Sequence, residues 1–178
     1  MRGIGVFMGR PVTFERLDMS LEEFGRLVDM NRTDAFYIAG LAAVALCNYR
    51  YDPEKCISML NRLKNPHEPM NDRDVQIIKE RLFGKDYIPF SYFAGAIQFN
   101  NFTPRRPYTV LVKDNNYSFY NEGWAELWLH STGAPDDRPV RLRQRRSTQE
   151  WFLSEQMLIA DINLIADEEE EDDDDPWG

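Results

Sequence analysis

The sequence predicts an α+β protein: an N-terminal bundle of about four helices packed against a C-terminal antiparallel β-meander, followed by a disordered acidic tail. Three observations carry the prediction. Apolar residues recur at helical spacing between residues 18 and 84, and capping residues stand where the runs open. Beyond residue 108 the pattern shortens into runs punctuated by Gly, Pro, Asn and Asp, and Val140 and Leu142 alternate with Arg141, Arg143 and Arg145. The stretch 167–175 is nine acidic residues without a break, a block that repels itself and is expected to stay unfolded.

Residues 1–17, with Gly3, Gly5, Gly9 and Pro11, read as an irregular arm with room for a short edge strand at 11–14. The helical subdomain follows at 18–84. Its first helix opens on Ser20 and Glu23, spaced as a capping box, and its apolar face is Leu21, Phe24, Leu27 and Val28. The second, at 34–48, is apolar almost all round and is expected as the buried central post. The third opens on Asp52-Pro53, because Asp caps and Pro at the first helical position gives up no hydrogen bond; Cys56, Ile57, Leu60 and Leu63 form its buried face. Asn71 opens the fourth, with Val75, Ile78, Leu82 and Phe83 facing inward and Gly84 ending it. Tyr87, Phe90, Tyr92, Phe93, Phe99 and Phe102 crowd the linker 85–107, which is expected to pack across the helix–sheet junction. An aromatic groove that stacks bases is the weaker reading, because no RNP-type motif accompanies these rings. Strands are predicted at 108–113, 124–130, 139–145 and 150–153. Leu158, Ile162 and Ile165 then suggest a short terminal helix at 156–165, with a continued strand as the alternative, so the β subdomain spans 108–165 and the tail 166–178.

The net charge of −9 is matched by the nine acids of 167–175, so residues 1–166 are neutral. Nothing in that body demands a polyanionic partner, and nucleic acid is disfavoured. Cys47 and Cys56 are too few for a disulfide scaffold and read as buried thiols in a reducing compartment. Neither a membrane-length apolar stretch nor a signal-peptide core is present, and the cytoplasm is the expected location.

Chemical motifs are sparse. The sequence has no P-loop, no G-x-G-x-x-G and no His/Cys metal spacing, so no cofactor or metal is expected. His130 and Ser131 are adjacent, but neighbours on a strand point to opposite faces, which argues against a nucleophile and base in contact. Glu122 and Glu126 read as exposed strand charges rather than an acid–base pair. Arg138, Arg141, Arg143, Arg145 and Arg146 form the most distinctive charged feature. Its plain reading is a solvated strand face that discourages edge pairing. Its functional reading is a surface for anions or an acidic peptide, since guanidinium matches carboxylate in a bidentate way. The acidic tail could fold back onto these Arg residues, with Trp177 as its anchor.

Tyr92-Phe93-Ala94-Gly95-Ala96, Asn100-Asn101-Phe102-Thr103-Pro104, Pro107-Tyr108-Thr109-Val110, Glu122-Gly123-Trp124-Ala125, Ser131-Thr132-Gly133-Ala134, Arg138-Pro139-Val140 and Trp151-Phe152-Leu153 form a specific set. In them the chain resembles a family of uncharacterised bacterial proteins, often from Firmicutes, that carries a domain-of-unknown-function label, DUF6935. The resemblance spans about residues 20–165. It implies a small cytoplasmic protein and transfers no functional residue. The expected function is therefore a non-enzymatic module that binds another protein or an acidic peptide. The alternative is a small enzyme or small-molecule binder with a pocket between the sheet and the linker aromatics.

Overall fold

The structure, a computed structural model, describes residues 8–160; the tail and its Trp177 lie outside them. The elements run β1 (Met8–Phe14), α1 (Leu21–Met30), α2 (Ala35–Cys47), α3 (Pro53–Leu63), α4 (Asp72–Leu82), β2 (Tyr108–Asp114), β3 (Trp124–Leu129), β4 (Arg138–Arg145) and β5 (Glu150–Gln156). Strands β1 to β5 form one antiparallel sheet in sequence order. The predicted α+β class is the one observed.

Helix α2 is the post around which the rest is arranged. The Asp34 carboxylate accepts the Phe36 and Tyr37 amides, at 3.1 and 3.3 Å, and so satisfies two orphan donors at the helix start. From Ile38 to Cys47 every side chain is buried. The helix touches all five strands on one side and α3 on another. Gly40 marks its closest approach to the sheet, where a Cβ would meet atoms of Phe14, Val12 and Val110 at 3.4 Å. Removing each Leu, Ile or Val of this helix from water stabilises the fold by about 1.5–3 kcal/mol. At the far end the buried Asn48 amide donates to the Leu17 and Val44 carbonyls, at 2.8 and 2.9 Å, which ties the β1–α1 connection to the helix.

A single cluster of buried side chains runs from Val12 and Phe14 through the helices to Leu142 and Leu153. Helices and sheet therefore share one core rather than holding one each. The arm expected at 1–17 contributes a full edge strand: Val12 lies opposite Val110 and Phe14 opposite Tyr108. Glycines obscured that strand in the sequence, yet Gly9 suits it, since a Cβ there would come within 2.8 Å of Leu111.

Other expectations need correction. The capping box of α1 is half formed: Ser20 accepts the Glu23 amide at 3.0 Å, but the Glu23 carboxylate turns to Arg16 at 3.1 Å. Phe83, expected to face inward, is 84% exposed. It caps α4 with extended backbone at ψ 117, and Gly84 follows at φ 68, so the helical phase no longer applies to it. Of the terminal helix expected at 156–165, Gln156 ends β5 and 157–160 form a turn and bend; the rest lies outside the described residues.

Candidate functional site

The strand register decides which charges meet. In β4, Val140 and Leu142 are buried and Arg141, Arg143 and Arg145 are exposed on the opposite, outer face of the sheet. Arg138 has the parity of Val140 and Leu142, so it belongs to the core-side face, is half-buried, and leaves the expected Arg set. Arg146 lies just past β4 in the turn to β5.

Most of the outer arginines are matched by carboxylates. Arg141 stands between Glu126 of β3 and Glu155 of β5, at 3.3 and 3.2 Å. Arg145 reaches Glu150 at 3.4 Å, and Arg146 reaches Glu122 at 2.8 Å. Glu122 and Glu126 are thus separate ion-pair partners. Such exposed pairs are worth at most about 1 kcal/mol each and are screened by salt.

Arg143 differs. Its guanidinium lies 5.2 Å from the centroid of Trp124, its cross-strand neighbour, and among the described residues it pairs with no carboxylate. The β5 neighbour of Arg143 in the same row is also aromatic: it is Phe152, whose ring lies 4.9 Å from the Arg145 guanidinium. A cavity of about 470 Å³ opens beside these groups, lined by Trp124, Arg143, Arg145, Phe152, Ser154 and Glu68 among others. A second, of about 420 Å³, takes in Trp124 with Tyr117, Asn121, Glu126 and Arg141. Trp124 is the wall the two share.

Arg32, at the edge of this face, escaped the sequence reading. It is only 8% exposed, and its guanidinium donates to the carbonyls of Leu63, Trp151 and Arg62 at 3.0, 2.9 and 2.7 Å. It also lies 4.2 Å from the Phe152 ring. Burial, reinforced by Arg62, lowers its pKa to about 10. The residue fastens the α1–α2 turn to the end of α3 and to β5, and so holds Phe152 from behind.

The other sequence candidates sit apart. His130 Nδ1 lies 3.0 Å from Asp137, which also pairs with Lys113 at 3.0 Å. Ser131 is buried, with its Oγ 2.6 Å from Ser91 Oγ and accepting the Gly133 amide at 3.0 Å. The two neighbours have separate partners, although β3 ends at Leu129 and neither lies on a strand. Cys47 and Cys56 are buried free thiols; burial pushes Cys56 up to about 12 and raises Cys47 well above the ordinary thiol range, so neither is a thiolate at neutral pH. The linker rings Phe90, Tyr92, Phe93 and Phe102 are buried in the core, and Phe102 stacks on Tyr87 at 5.9 Å. None of these rings lines either cavity on the outer face. Among the described residues no cluster of three or more His, Cys, Asp or Glu could hold a metal ion, and no helix is long and apolar enough to cross a membrane.

The sequence pattern of a family described as a domain of unknown function, DUF6935, matches residues 16–166. The chain belongs to this DUF6935 family. That match covers the helices, β2 to β5 and the whole Trp124–Arg143 surface, and leaves β1 and the acidic run outside it. No curated protein and no solved structure matches the chain.

Proposed function

We propose that this DUF6935 chain is a binding module for an acidic peptide segment, received on the outer face of its sheet. The observation that carries the reading is Arg143, stacked on Trp124 and without a carboxylate among the described residues. Its neighbours Arg141, Arg145 and Arg146 spend their charge on Glu126, Glu155, Glu150 and Glu122. Arg143 is therefore the position where an incoming carboxylate meets an unmatched fork of donors. Trp124 supports the guanidinium from one side and offers an apolar surface beside it. Phe152 and Ser154 add an apolar and a hydroxyl contact within the same cavity, and Glu68 gives that cavity a negative group as well. Such mixed lining suits a peptide, which carries amide donors as well as acceptors, better than a polyphosphate. The paired charges around it form a rim that excludes water and adds little affinity of its own.

The acidic run 167–175 is one segment with the required chemistry, and it gives a defined probe. Isothermal titration of a chain ending at residue 165, which lacks the competing acidic run, with a peptide of residues 166–178 at low ionic strength reads the interaction. The expected dissociation constant is on the order of micromolar, weakening about tenfold in Arg143→Ala, as for loss of one charge-assisted contact. Arg141→Ala, whose charge is already matched, is expected to change it by less than about threefold. Equal binding by wild type and Arg143→Ala, or no binding by either, would overturn the assignment.

A further inference from the structure

The segment that leaves the core after Phe93 is pinned at both ends. The Ala94 amide donates to the Thr109 carbonyl at 2.8 Å, and the Arg105 amide donates to the Ala94 carbonyl at 3.1 Å. Between these points Asn100 organises the chain. Its side-chain oxygen accepts the Ile97 and Thr103 amides at 3.0 and 2.9 Å, and its side-chain nitrogen donates to the Gly95 carbonyl at 2.8 Å. The Thr103 hydroxyl donates to the Asn100 carbonyl at 2.7 Å. Asn101 and Phe102 both take left-handed backbone, at φ 57 and 55, a conformation that strains a bulky residue such as Phe. The buried stack of Phe102 on Tyr87 holds them there.

All of this ordering presents an apolar tip to solvent. Phe99 is 96% exposed at the tip, and Ile97 is exposed beside it. Single exposed apolar residues are ordinary on loose surface loops. Here the loop is fixed by side-chain hydrogen bonds and by the Phe102–Tyr87 stack, which is the arrangement that spares a binding surface the entropy of ordering. Arg105 and Arg106 follow on the returning arm, both exposed, and among the described residues neither pairs with a carboxylate.

We propose that this loop is a preformed anchor for a second protein: Phe99 enters an apolar pocket on that partner, and carboxylates at the pocket's rim meet Arg105 and Arg106. Buried aromatic anchors ringed by polar contacts carry most of the energy of protein interfaces. A bilayer surface is the poorer fit, because it does not need a fixed side-chain direction. The contact uses neither Arg143 nor Trp124 and stands independently of the peptide site.

The test places a photoreactive benzoylphenylalanine at position 99 of the full chain, expressed in the cells that natively make it. The same residue at Phe83, which is 84% exposed, is the control for general exposure. Irradiation is expected to give a discrete protein adduct from position 99 that position 83 does not give. Arg106→Glu in the same background is expected to lower its yield about fivefold, as for reversal of a rim charge. Arg105 is left intact because it packs against Gly95, where a Cβ would meet it at 3.0 Å. Three outcomes overturn the proposal: no protein adduct from position 99, the same adducts from both positions, or a yield indifferent to Arg106→Glu. Co-sedimentation with mixed phosphatidylglycerol and phosphatidylcholine vesicles that Phe99→Ala abolishes would overturn it as well, in favour of a lipid surface.

Discussion

Leu142 and Arg143 are neighbours in β4 and belong to different regimes. Leu142 is sealed on the side covered by α2, whereas Arg143 lies on Trp124 in solvent. The inner face is held by apolar area, in amounts of about 1.5–3 kcal/mol per large side chain. The outer face is held by ion pairs and ring contacts of about 1 kcal/mol or less each, weakened by salt. The inner face thus decides whether the chain folds. The outer face can change its charges at small cost to stability, which makes it the place where recognition can reside.

The sharpest way to break this contrast is to put a charge on the inner side. Leu41 is fully buried in α2, so Leu41→Asp leaves an uncompensated carboxylate there. The expected loss is about 5 kcal/mol or more, enough to abolish the cooperative transition in a thermal melt followed by circular dichroism. A soluble variant that melts close to wild type would mean α2 is not the centre of the core.

Arg32 tests the seam between the regimes, where a charge is buried and fully engaged. Arg32→Ala strands the Leu63, Trp151 and Arg62 carbonyls, and urea denaturation is expected to read a loss of about 3 kcal/mol. Arg32→Lys should recover only part of it, since an ammonium lacks the planar fork. Arg146→Ala, on the exposed side, should stay within about 0.5 kcal/mol of wild type. Similar losses for Arg32→Ala and Arg146→Ala would erase the distinction.

A gentler test uses pH. Burial raises the Cys56 thiol from its ordinary 9.0 to about 12. Between those values the unfolded chain releases a proton that the folded chain keeps. The contribution is therefore complete below pH 9 and fades as pH rises toward 12, by up to about 1.4 kcal/mol per pH unit. Cys56→Ala removes that proton from the balance. Its plot of unfolding free energy against pH should run parallel to wild type below pH 8 and fall less steeply above pH 9. Parallel lines throughout would place the thiol in water.

Features that depend on local pattern were legible in the sequence. The buried α2, the Asp52-Pro53 start of α3 and the alternation of β4 all follow from residues within one element. Features that depend on register were not. Arg141 is neutralised by Glu126 and Glu155, which reach it only once β3, β4 and β5 are aligned and the shift between Arg141 and Leu142 is in place. The isolation of Arg143 is visible only by contrast with those pairs. Arg32 sits among polar residues that read as a helix break, while its partners Leu63 and Trp151 are remote in the chain. Phe99 was grouped with the other linker rings because composition cannot separate a buried Phe102 from an exposed neighbour three residues earlier. Backbone conformation at Asn101 and Phe102 makes that separation.

The pairing of β1 with β2 has a consequence for synthesis. Val12 lies opposite Val110, with all four helices between them in the chain. At about 5–20 residues per second, a ribosome needs on the order of ten seconds between making β1 and bringing out β2. During that interval Val12 and Phe14 have no sheet to join, while the helices α1 to α3 can already assemble. Strands β2 to β5 follow one another directly and can zip together as they emerge. β1 therefore waits without a sheet partner until all four helices have been made, and it can pair as soon as β2 emerges.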